Sequence, residues 1–159
     1  MIGLRKAPSK NVQPAKAAGS LLSDAEMGDF EAFEAGTFSP QSFHHSQHVR
    51  MAWIYLQLLP VPQALQHFSD ALQRFALRQG KPDLYHETIT WAFLFLIKER
   101  ISETKEVLGW EEFSARHPDL LIWKGGLLEK LYSSDRLFSE LARRTFLLPD
   151  RGIPRSRQE

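Results

Sequence analysis

Residues 89–97 read Ile89-Thr90-Trp91-Ala92-Phe93-Leu94-Phe95-Leu96-Ile97, with one polar side chain in nine. The stretch shows no alternation of apolar and polar residues, so it does not read as a half-exposed strand. It sits in a longer segment, residues 84–102, that enters through Lys81-Pro82-Asp83 and turns charged at Lys98, Glu99 and Arg100. Such a segment reads as a helix that emerges into solvent only at its end. A helix that is apolar all round is a buried one, so it belongs at the centre, with the others packed around it. The unbroken apolar run from 91 to 97 is far too short to cross a bilayer, which takes about 20 residues.

Helical signals continue on both sides. Upstream, Pro62 opens and Gly80 closes a segment whose stripe is Leu65, Phe68, Ala71, Leu72, Phe75 and Ala76. Its other side carries Gln66, Asp70, Gln73, Arg74 and Arg78, the pattern of a helix with one buried face. Before it, Ser39-Pro40 opens a helix that runs to about Leu59 and stops at Pro60. Residues 24–38 carry Met27, Phe30, Phe33 and Phe38, enough for a short helix or an ordered arm. Downstream, residues 110–117 form a short helix ended by Pro118. Residues 120–132 are helical with a weak point at Gly125-Gly126, and Ser134-Asp135 caps a last helix to about Arg144. Residues 146–149 then read as an extended segment lying on the body. The expectation is an all-α bundle of five to seven helices around the central helix at about 84–102, with no sheet.

Residues 1–22 are rich in Lys, Ala, Pro, Ser and Gly without periodicity, and read as a disordered basic tail. The helical domain is expected over 23–150, and 151–159 as a flexible end. Of the 20 basic side chains, four fall in the first 23 residues, leaving 16 against 19 acidic ones. The body therefore has no surplus of positive charge to hold a phosphate backbone, which argues against nucleic acid. No apolar stretch of a secretory signal follows the basic start, so a cytoplasmic protein is expected. There is no cysteine, which excludes disulfides, thiolate zinc sites, iron–sulfur clusters and a cysteine nucleophile.

Three of the six histidines stand in His44-His45-x-x-His48 at the start of one helix. Residues three or four apart share a helix face, with Cβ atoms about 5–6 Å apart, so His48 can act with either His44 or His45 on one ion. His44 and His45 diverge by about 100° and cannot both reach it easily. Tyr85-His86-Glu87-Thr88 opens the central helix and supplies an imidazole, a carboxylate, a phenol and a hydroxyl. One intervening helix brings the third helix back beside the first. His44, His45, His48, His86 and Glu87 are thus the candidate ligands of a divalent iron or zinc ion, in a non-haem iron or open zinc arrangement. The competing reading makes them a structural polar cluster, with His86 as a cap and Glu87 at the positive end of a helix dipole.

Named motifs are absent. The His-Glu pair at 86–87 is followed by Thr90, not by the second histidine of a zinc protease helix, and no Glu-x-x-His occurs. Phosphate-binding loops and the serine-hydrolase elbow are also missing.

Three strings carry a resemblance: Phe43-His44-His45-x-x-His48-Val49-x-x-Ala52-Trp53, Tyr85-His86-Glu87-Thr88-Ile89-Thr90-x-Ala92-Phe93, and Leu141-Ala142-Arg143-Arg144-x-Phe146-x-Leu148-Pro149-Asp150. They resemble those of a family of small, uncharacterised bacterial helical proteins over roughly residues 38–150. The resemblance brings no activity with it.

The residues themselves lead to a metal-dependent enzyme, an oxidoreductase or hydrolase, acting on a small molecule. In that reading Glu87 or Tyr85 does acid–base work, Trp53 and Trp91 line the pocket, and Arg143 and Arg144 hold a substrate carboxylate. The rival is a non-catalytic helical protein that binds a partner or ligand, its histidines structural or pH-sensing. Haem held by one histidine is a third option.

Overall fold

The structure is a computed structural model that describes residues 21–152. Among these residues there are eight α-helices and no strand. They are α1 (Asp24–Ala35), α2 (His45–Leu58), α3 (Val61–Arg78), α4 (Glu87–Glu103), α5 (Trp110–Arg116), α6 (Leu127–Leu131), α7 (Ser134–Leu137) and α8 (Glu140–Arg144), with 3₁₀ turns at Pro40–Ser42, Pro82–Leu84 and Pro118–Leu121. The all-α bundle is the expected class. The helix count exceeds five to seven because Ser139 inserts a second cap. Its hydroxyl accepts from the Ala142 amide and ends the single expected helix after α7.

Each long helix starts for a local reason. Ser23 and Glu26 form a capping box on α1, each side chain accepting from the other's backbone amide. Pro62 sits in the first turn of α3, where its missing N–H costs nothing. The helix expected from Ser39-Pro40 begins only at His45, because the chain makes a 3₁₀ turn first and passes extended backbone at His44. In the same way Pro82–Leu84 forms a 3₁₀ turn, and α4 begins at Glu87 instead of residue 84. The weak point at Gly125-Gly126 is a real break. Gly125 takes φ +67°, and a side chain at Gly126 would collide with the Ile122 carbonyl.

α2 packs on α1, α3, α4 and the 118–121 turn, while α4 packs on α2, α3, α8 and the same turn. The central placement of α4 is thus shared with α2. Leu94 and Ile97 of α4 are buried, yet Phe95 is 42% exposed. The longest run of buried residues lies on α2 at 51–56, where none exceeds 7% exposure. The apolar girdle of α4 is completed by chain rather than by helices: Phe146 stacks on Trp91 at 5.6 Å between ring centroids and touches Phe95.

The tail expected over 1–22 and the end expected over 151–159 lie largely outside the described residues. Leu22, 7% exposed, already belongs to the core, so the packed body begins ahead of residue 23. No helix among the described residues is long and apolar enough to cross a membrane.

Leu94 is 1% exposed, and a carboxylate there would find no partner. Leu94→Asp is expected to abolish soluble folded protein. A soluble variant with unchanged thermal unfolding would refute the core position of α4.

Candidate functional site

The first turn of α4 is tied to the C-terminal segment by side chains. His86 is the N-cap of α4, and its Nδ1 accepts from the Ile89 amide at 3.2 Å. Its Nε2 lies 2.8 Å from the Leu137 carbonyl. A carbonyl only accepts, so Nε2 carries the proton and both ring nitrogens are engaged. Thr88, fully buried, donates to the Thr145 carbonyl at 2.8 Å and accepts from the Leu147 amide at 3.1 Å. The three bonds to Leu137, Thr145 and Leu147 anchor the chain from α7 to residue 147 on α4. Farther on, the Tyr132 hydroxyl donates to the Leu147 carbonyl, and Asp150 accepts from the amide and hydroxyl of Ser133. The two bonds from Ser133 hold the Asp150 carboxyl below its usual range.

The histidines of α2 point three ways. His44 is exposed and makes no cap bond. His45 donates from Nε2 to the Leu120 carbonyl at 3.0 Å and lies against Phe93 and Trp123. His48 turns toward a different cluster and stacks on Phe43 at 3.9 Å. His86 is separate again. Phe93, which meets His45, lies seven residues beyond His86, about 10 Å along the axis of α4. Among the described residues no three His, Asp or Glu side chains are grouped to hold one ion. The five candidate ligands His44, His45, His48, His86 and Glu87 are therefore not brought together. The physical reason is that His86 serves as a cap, His45 and His86 donate to backbone carbonyls, and His48 stacks on Phe43, while His44 faces solvent.

Burial is the main cause of the lowered pKa values of His45, His48 and His86. It brings His48 down to about 4, with the neighbouring His45 adding to the effect. It also lowers His45, against the opposing pull of the Leu120 carbonyl. His86 is lowered as well, with Arg143 contributing. His117, which closes α5 and faces Arg100, follows for the same two reasons.

Tyr85, Glu87, Arg143 and Arg144, by contrast, do share a site. They border a groove of about 670 Å³ between α3, the 82–84 turn and α8. The Tyr85 hydroxyl donates to Glu87 Oε2, and burial together with that bond raises the phenol pKa. Arg143 donates to the Asp83 carbonyl and lies 3.4 Å from Glu140 through Nε. Arg144 reaches the same Glu140 at 3.5 Å. α3 contributes Asp70, Gln73, Arg74 and Leu77 as the opposite wall. Asp70, Gln73 and Arg74 read from sequence as the polar side of an amphipathic helix, and Leu77 stands on neither face in that reading. The only signal of those three was a polar stripe at helical spacing, which does not tell which part of the chain will come to stand across from it.

The two tryptophans expected to line the pocket are placed elsewhere. Trp53, 1% exposed, packs on Trp110 and Phe113 in the core. Trp91 donates its indole N–H to Ser69 and stacks on Phe146. Their large apolar area is worth more inside the body than at a groove edge.

Compared with family models, with curated proteins and with solved structures, the chain matches none.

His86→Ala removes a cap and a buried donor together, so it should lower stability by about 1–3 kcal/mol while leaving the metal content of untagged protein unchanged. A loss of bound metal with stability intact would favour a ligand role instead. His48 gives a second expectation. Its folded pKa lies below its unfolded value of about 6.5, so the unfolded chain takes up the proton first. The stability is fully present above pH 6.5 and falls as pH drops toward 4, by about 3 kcal/mol from this group. Urea titrations across that range should show the decline, and His48→Leu should flatten it. An unchanged slope in the variant would contradict the buried neutral imidazole.

Proposed function

We propose that this chain is a non-catalytic helical protein that binds a small organic molecule in the groove between α3, the 82–84 turn and α8. The observation that carries the reading is the division of labour among the polar side chains. Tyr85, Glu87, Arg143 and Arg144 meet around one opening of about 670 Å³, within the range of about 300–1,000 Å³ usual for ligand pockets. The imidazoles of His45 and His86 serve the fold through backbone carbonyls, and that of His48 through an aromatic stack.

The metal-dependent enzyme is the other reading of the same residues. With His48 and one of His44 or His45 as ligands, it requires His48 to leave its stack on Phe43, and His86, where it completes the set, to give up a bond to Ile89 or to Leu137 in order to offer a lone pair. Both costs are structural, and the groove reading carries neither.

The test is a fragment screen by amide NMR on untagged protein, combined with elemental analysis of the same sample. Binding should shift the amides of Tyr85, Glu87 and Arg143 together, with less than stoichiometric iron or zinc present. Fragments that perturb only residues away from the groove would overturn the proposal, as would stoichiometric metal lost on His48→Ala.

A further inference from the structure

The charges around the groove do not cancel: three carboxylates, Asp70, Asp83 and Glu87, are left over. Each guanidinium of the lining already has an acid beside it: Arg74 lies 3.5 Å from Glu34 of α1, and Arg143 and Arg144 share Glu140. Asp70, Asp83 and Glu87 also line the groove, and none of them has an ion-pair partner among the described residues. Asp70 accepts from the Gln66 amide, and Asp83 is exposed to water. Glu87 is different because it is partly buried and positioned. It is the first residue of α4, and the Tyr85 hydroxyl holds one of its oxygens.

A carboxylate offers about four acceptor positions, and a single phenol fills one. A partly desolvated carboxylate left unpaired is costly, and donors that carry positive charge make the strongest bonds to it. Leu77 and Pro82 offer apolar wall to a hydrocarbon chain. An anion would face three unpaired carboxylates, and the one arginine nitrogen of the lining that is buried without a hydrogen-bond partner among the described residues, Arg143 Nε, is enclosed and not open to the groove.

Resting on the groove reading above, we infer that the ligand is a small aliphatic amine, with a protonated nitrogen donating to the Glu87 carboxylate and its chain lying along Leu77 and Pro82. Arg143 then holds α8 on the turn through the Asp83 carbonyl, and the arginines are not the ligand's counter-charge.

The experiment is an amide NMR titration of the full chain with spermidine and, separately, with sebacate, a flexible dianion of comparable reach. Spermidine should move the amides of Tyr85, Glu87 and Arg143 in a saturable way, and added salt should weaken it by screening. Glu87→Gln keeps the shape and should weaken binding about tenfold or more. Asp83→Asn, on the exposed turn, should weaken it less, and provides a second variant should the first fold poorly. Sebacate moving those amides while spermidine does not would overturn the amine inference and leave the groove as a binding site. Spermidine binding that is indifferent to both substitutions would overturn it too. If neither probe moves the groove amides, the amine inference falls, and a neutral fragment that still binds there preserves the groove.

Discussion

The bonds that His86 and Thr88 make to the C-terminal segment hold the groove in being. α7, α8 and the strand-like passage that follows are too short to be stable alone, since isolated helices of fewer than about 12 residues are marginal in water. They keep their place because two carbonyls and one amide of that segment find partners on the first turn of α4. An unmet buried amide or carbonyl is costly, so the segment has one resting position. That position sets α8 across from α3 and creates the opening between them. Arg143 extends the same attachment outward through the Asp83 carbonyl.

The histidines follow from the same constraint. A buried imidazole is tolerated when it is neutral and has a carbonyl to donate to. His45 and His86 meet that condition at separate places along α4, and burial lowers their pKa values. His48 is held by stacking instead, within a cluster where Phe43 also meets Phe33, Phe38 and Phe75. These are local solutions to local packing problems. The lowered pKa values of His45, His48 and His86 predict a loss of stability in mild acid, and His45 and His48 serve the packing of α2.

Much of the architecture was legible because helical spacing, proline and capping residues act locally. The stripe of α3, the closing Gly80 and the break at Gly125-Gly126 all follow from a few neighbouring residues. The missed features depend on distant partners. Nothing near Trp91 indicates that Phe146 will cover it, and nothing near Ser139 shows that its hydroxyl will cap a new helix instead of facing water. For the site, sequence drew attention to Tyr85, Glu87, Arg143 and Arg144 without showing that they adjoin one another. It also grouped the histidines by spacing along the chain. Spacing permits two imidazoles on one face but does not say which way each ring turns, and here carbonyls and aromatic rings decide that. The polar wall of α3 was visible as residues and invisible as a wall.

Native-state hydrogen exchange at two backbone amides tests the anchoring most directly. The Leu147 amide donates to Thr88 and the Ile89 amide to His86, and neither bond belongs to a regular helix. Both amides should exchange only through global unfolding, as slowly as those in the middle of α2. Rapid exchange at Leu147, at the rate of an exposed loop while α2 stays protected, would mean that the C-terminal segment is not held on α4, and the groove would have no fixed wall.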